Sequence, residues 1–215
     1  MKIRVKKTAW FTATGLCLVM MGMFVTYGCE KPNNPPQLHT PQKYVVGNFY
    51  NLNGVRGIIY KLNEGDTSGM IVSLDEGYCQ WADSLNADFE TNISDSHDGV
   101  KNMEKIKELG FDNYPAFKWC NEKNSGSVNG WYLPSLYELD EIRRIANRLN
   151  DTLITIDGGM VFEPNYLWSS TGAEIFPKCT EAFIIVFIHY DTDKGPTALQ
   201  MPKTGRYKVR AVRAF

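Results

Sequence analysis

The stretch Gly130-Trp131-Tyr132-Leu133-Pro134-Ser135-Leu136-Tyr137-Glu138-Leu139 decides the reading of this chain, because it holds a strand end and a helix start in ten residues. Pro134 has no N–H for a ladder and closes the strand-like run before it. Ser135 and Glu138 stand at capping-box spacing: the serine oxygen accepts from the amide three residues on, and the glutamate reaches back to the serine N–H. Beyond the cap, Leu136, Leu139, Ile142, Ile145, Ala146 and Leu149 fall on one helical stripe. Asp140, Glu141, Arg144, Asn147 and Arg148 are assigned to the solvent face, with Asp140 and Arg144 at the favourable i, i+4 spacing. The spacing predicts one capped helix packed on something flat and apolar.

Upstream, short β-rich runs alternate with turns. Tyr44–Tyr50 and Arg56–Leu62 flank an Asn53-Gly54 turn, and Glu64-Gly65-Asp66 turns the chain again before Met70–Leu74, which makes a β-meander. A helix is expected over Asp98–Leu109, with Val100, Met103, Ile106 and Leu109 on one face and Gly110 as its stop. Pro115 opens a second short helix, Ala116 to Asn121, that buries Phe117 or Cys120. Downstream, Tyr166–Thr171, the nearly all-apolar Ala182–Ile188 and the alternating Arg206–Phe215 read as strands. Strands flanking a helical middle, without internal repeats, give an α+β class and not a doubly wound sheet.

The first residues have a different character. Lys2, Arg4, Lys6 and Lys7 precede an apolar run from Thr8 to Val25, and no acidic residue falls among residues 1–28. This is the layout of an export signal, and the run is too interrupted for a comfortable membrane span. It ends in Thr26-Tyr27-Gly28-Cys29, which resembles the lipobox of bacterial lipoproteins; an ordinary secretory cleavage nearby, or an uncleaved anchor, remains open beside it. The resemblance implies a signal peptide over 1–28, lipidation of Cys29, a Pro/Asn-rich tether over 29–43 and a folded domain over 44–215. Without the leader's four cations, 19 basic residues face 24 acidic ones, a net charge of −5. That balance offers no phosphate-binding surface, so nucleic acid is excluded as an expected partner. Cys79, Cys120 and Cys179 are the domain's cysteines, an odd set that allows at most one internal disulfide.

Four pieces in order carry a family resemblance: Gly69–Gly77 with Gln80-Trp81, Trp131-Tyr132-Leu133-Pro134-Ser135 with Glu138-Leu139, Leu167-Trp168-Ser169-Ser170-Thr171, and Val209-Arg210-Ala211-Val212-Arg213. Together they resemble the Lcl C-terminal domain family and the major paralogous domains of bacterial surface proteins. The resemblance implies a C-type-lectin-like fold in a Bacteroidetes-type lipoprotein: a small mixed or antiparallel sheet, two main flanking helices, and paired N- and C-terminal strands. It further implies that Trp131 and Trp168 are core, and that Arg210 and Arg213 point outward or pair with helix acids.

Chemistry is sparse. His39, His97 and His189 stand apart from any nucleophile elbow, HExxH or CxxC pattern, and each reads as structural or solvent-exposed. The formylglycine-generating enzymes, similar by fold, use a cysteine pair near the C-terminus, and here no cysteine follows Cys179. No enzymatic activity is expected. Glu163-Pro164-Asn165 matches the tripeptide by which C-type lectins hold calcium, making Glu163 and Asn165 the candidate metal ligands and calcium the one conceivable cofactor. Trp168 is followed by Ser169-Ser170, however, where such lectins continue with further ligands. Asp191-Thr192-Asp193-Lys194-Gly195 looks like a calcium loop but lacks the later bidentate glutamate, so a polar turn explains it as well.

What remains is a display surface around Tyr166, Phe176, His189, Tyr190, Asp191 and Asp193, which mixes aromatics with short polar groups. The reading is a membrane-anchored, non-enzymatic binding or adhesion protein of the cell envelope, held by lipid at the outer membrane. Its expected partner is a glycan or protein on another cell or surface. A subunit of a surface fibre or envelope assembly is the alternative, and so is the variable ligand-binding protein of a diversity-generating retroelement.

Overall fold

In the computed structural model the described residues are 41–85, 92–173, 179–187 and 197–215, and they belong to the compact unit Pro41–Phe215. Two sheets and a helical middle make the α+β class. The first sheet runs in the order β1 (Phe49–Leu52), β2 (Val55–Leu62), β3 (Gly69–Val72), β9 (Val212–Ala214), all antiparallel. The second contains β4 (Gly77–Gln80), β8 (Arg206–Val209), β5 (Tyr166–Ala173), β6 (Glu181–Val186) and β7 (Ala198–Pro202), in that order. Here β5 and β8 are parallel, meeting at Leu167 and Lys208. The meander turns on Asn53-Gly54, where both residues take positive φ (53° and 78°), as a tight hairpin between right-twisted strands requires.

Among the described residues four helices lie between the strands: α1 (Gly99–Leu109), α2 (Pro115–Asn121), α3 (Leu136–Arg144) and α4 (Ala146–Leu153). The carboxylate of Asp98 caps α1 by accepting from the Lys101 amide at 3.1 Å. Both Phe117 and Cys120 of α2 are buried. A 3-10 turn over Phe111–Asn113 leads from one helix to the next.

Several boundaries correct the sequence reading. The single helix expected after Ser135 is two, because Ile145 leaves the helical region (φ −117°, ψ 14°) and redirects the chain into α4. Asp140, assigned to water, is 3% exposed: α3 lies against β5 and β6, and Asp140 is held there by Arg143 Nε at 2.8 Å and Arg144 Nε at 2.9 Å. The first strand begins at Phe49 and not at Tyr44, whose ring instead packs edge-on against Phe215. The long final strand is broken at Arg210-Ala211, which sends β8 to one sheet and β9 to the other. Consequently the first and last strands are not paired with each other; β9 pairs with β3, and β2 lies between β3 and β1.

Candidate functional site

The quoted motif residues build the fold's central junction. Glu138 accepts from four donors: the Tyr132 hydroxyl (2.6 Å), Ser135 N (2.8 Å), Ser135 Oγ (2.7 Å) and Gly99 N (3.1 Å). One carboxylate thus closes the α3 capping box and binds the first turn of α1. Leu133, Ser135 and Leu139 are completely buried, and Pro134 lends its carbonyl to Ser170 N at 2.7 Å. Trp131 is 5% exposed, clamped at its N–H and carbonyl by the side-chain amide of Asn124. The Arg213 guanidinium lies 5.8 Å from the Trp131 ring centre.

The Trp168–Thr171 run works the same way. Between Trp168 and Gly172 the register of β5 against β6 shifts, so the serines and threonine leave the ladder. Ser169 Oγ donates to Phe183 O (2.9 Å), Asn102 Nδ2 donates to Ser170 Oγ (2.9 Å), and Thr171 Oγ1 donates to Asp95 O (3.0 Å). Trp81 Nε1 donates to Ser169 O at 3.0 Å, and Trp168 Nε1 donates to Cys79 O at 3.1 Å. Every one of these polar groups is spent on the interior.

Arg210, expected outward or against a helix acid, is fully buried. It donates to the carbonyls of Ser73 and Met160, pairs with Glu76 at 3.3 Å and lies 4.0 Å from the Phe162 ring centre. Burial lowers its pKa to about 10, against the upward pull of Glu76. Glu76 also holds Lys208 Nζ at 2.5 Å. Arg210 is therefore a tie between the 73–76 loop, the 160–162 segment and the end of β8.

The expected display surface is partly in view. Tyr166 is 37% exposed and stands edge-on to Tyr207, ring centres 6.0 Å apart. Phe176, His189, Tyr190, Asp191 and Asp193 lie outside the described residues, as do Cys29 and His39. His97 is exposed and stacks on Tyr137 at 4.3 Å. At the tripeptide, Glu163 accepts from Lys208 Nζ at 3.2 Å and Asn165 Oδ1 accepts from Tyr166 N at 2.8 Å, so each candidate calcium ligand has a protein partner. No group of three or more His, Cys, Asp or Glu side chains able to hold a metal occurs among the described residues. Cys79, Cys120 and Cys179 carry free thiols, and burial pushes the Cys79 thiol up to about 11.

A concave site does occur, and none of its lining residues is among the candidate ligand-binding residues read from the sequence. A groove of about 390 Å³ opens between the β1–β2 turn, the 73–75 loop, the 123–131 loop and Asp157-Gly158. Its floor is Val55, Leu74 and Trp131; its polar wall is Arg56, Asp75, Lys123 and Asp157. Lys123 Nζ donates to both carboxylate oxygens of Asp75 (2.7 and 2.6 Å) and sits 3.9 Å from the Trp119 ring centre. Arg56 donates to the Asp157 carbonyl at 3.3 Å. Asp75 and Lys123 are 48 residues apart, and no local pattern joins them. Trp131 also closes a smaller hollow of about 200 Å³ with Val100, Met103, Phe111 and Tyr132.

Among solved structures, the chain is similar to a fimbrial protein from Bacteroides ovatus ATCC 8483, with a TM-score of 0.51 and 18% identity over 68% of this chain and 36% of that one. The likeness is one of fold, and the chain spans about a third of that protein's length. No family model and no curated protein matches it. No helix among the described residues is long and apolar enough to cross a membrane.

Proposed function

We propose that this chain is a non-enzymatic subunit of a cell-surface fibre or envelope assembly, its domain C-type-lectin-like and tethered to the outer membrane by lipid on Cys29. The observation that carries this is the fold shared with a fimbrial protein, reached through the two-sheet α+β architecture. Fold likeness is a warrant for architecture first, so the assignment is joined to two further features. The cationic leader and apolar run ending at Cys29 are the layout of an exported, lipidated protein. The polar residues of the recurring motifs are consumed by internal bonds, which suits a rigid building module.

The test is imaging of the source cells. Gold-labelled antibody against the domain should decorate surface filaments on intact cells, and deletion of the gene should shorten or abolish them. Label that appears only after the outer membrane is permeabilised would end the surface-fibre reading. Cys29→Ala, with metabolic labelling by a palmitate analogue, tests the anchor: the wild-type chain takes the label and the variant does not.

A second reading, a binding or adhesion protein for a glycan or protein ligand, is favoured by the groove beside Lys123. The two are compatible, since a subunit can carry a ligand site outward.

A further inference from the structure

We propose that the groove lined by Arg56, Asp75, Lys123, Ser125, Trp131 and Asp157 is a binding site for a neutral oligosaccharide. This does not depend on the fibre assignment, because binding and assembly are read by separate experiments. Its volume, about 390 Å³, falls within the range of small-ligand sites, and it joins an apolar floor to a few fixed polar groups.

Charge decides the ligand class. Two cations and two carboxylates line the groove, so its formal charge is zero. One pair is closed in place: the Lys123 ammonium holds both Asp75 oxygens and faces the Trp119 ring, while Arg56 donates to the backbone carbonyl of Asp157. An anionic ligand would have to compete with Asp75 for Lys123, and a cationic one with Lys123 for Asp75. A hydroxyl avoids that competition, because it donates to a carboxylate and accepts from an ammonium at once without separating the pair. Hydroxyl-rich, uncharged ligands with apolar C–H faces fit both the paired wall and the floor of Val55, Leu74 and Trp131.

The wall is ordered before any ligand arrives. The Lys123 side chain is 18% exposed, held between Asp75 and the indole, so little of its rotamer freedom remains to be lost on binding. Gly54 and Gly158, at positive φ (78° and 77°), leave the rim without side chains; a Cβ at Gly158 would meet nothing within 4 Å. The rim is therefore open at both glycines.

The experiment is a glycan array on the full chain purified in detergent, with matched neutral, sulfated and uronic-acid oligosaccharides, followed by calorimetry on the strongest neutral hit. Two variants probe the groove: Lys123→Met removes the paired wall, and Ser125→Trp fills the mouth without touching a charge. Each should weaken binding about tenfold or more, while Tyr78→Ala, on an exposed strand position outside the groove, should leave it unchanged. A circular dichroism melt shows whether Lys123→Met is folded, and Ser125→Trp carries the test if it is not. Neutral glycans bound equally by wild type and Ser125→Trp would overturn the assignment to this groove. Binding restricted to sulfated or uronic glycans, or none at all, would overturn the ligand class.

Discussion

The Tyr132 hydroxyl donates to Glu138 Oε1 at 2.6 Å, and through that bond a strand-end residue is fixed to the cap of the next helix. Oε2 of the same carboxylate takes Gly99 N and both donors of Ser135. Burial and the neighbouring Glu138 charge raise the Tyr132 phenol far above its ordinary range, so it stays a donor at any accessible pH.

Glu138→Ala leaves four donors without their acceptor. With charged hydrogen bonds contributing about 1.5–3 kcal/mol and a lost cap about 1 kcal/mol, the expected destabilisation is about 3 kcal/mol. Glu138→Gln keeps an acceptor oxygen and should lose about half of that. Urea unfolding of the three proteins reads the series; equal midpoints for wild type and alanine variant would refute it.

Gly99 is small because three walls surround it. A Cβ there would stand 2.7 Å from Leu133 O, 2.8 Å from Glu138 Oε2 and 2.8 Å from Tyr132 Cε2. Helix propensity alone would make Gly99→Ala mildly stabilising, by up to about 1 kcal/mol. The clash reverses the sign, and a lower melting temperature is expected. A rise would show that the junction yields.

Arg210 faces a buried acid, so truncating it strands Glu76 with Lys208 as its remaining cation. Arg210→Met should cost about 3–5 kcal/mol, the range for breaking one side of a buried pair. Arg210→Lys should recover little, since one ammonium cannot reach the carbonyls of Ser73 and Met160, the carboxylate and the Phe162 face together. A lysine variant as stable as wild type would show the planar fork to be dispensable.

The Asp95 carboxyl is held below the ordinary aspartate range, first by the His97 amide, with desolvation opposing and the Asp98 amide and Lys101 adding to it. Its folded pKa is depressed, so its contribution is present above the unfolded value and is lost as pH falls through the folded one. Asp95→Asn should flatten the acid limb of a stability–pH curve below about pH 4 and leave its slope near neutrality unchanged. An acid limb as steep in the variant as in wild type would place the effect elsewhere.

Much of the architecture was legible because it is local. Ser135 and Glu138 announce the α3 cap, Asn53-Gly54 the hairpin, and Pro115 the start of α2. The misreadings share one cause: tertiary packing overrides periodicity. Asp140 has helical-surface spacing, yet it is buried, held by buried Arg143 and by Arg144 from the exposed side, and Arg210 alternates as a strand residue while sitting at a break. Of the display residues, Tyr166 is described and partly exposed. The groove was invisible because Arg56 comes from the start of β2 and Asp75, Lys123 and Asp157 from three separate loops, each unremarkable alone.

Residues Arg206 to Ala214 supply one strand to each sheet, pairing with β4 on one side of Arg210 and with β3 on the other. During synthesis both sheets therefore stay unfinished until Arg206–Ala214 arrive. Loop closure over so long a separation is slow, so both sheets complete late in folding. The segment that ties the two sheets together is thus also the one that sets when either can close.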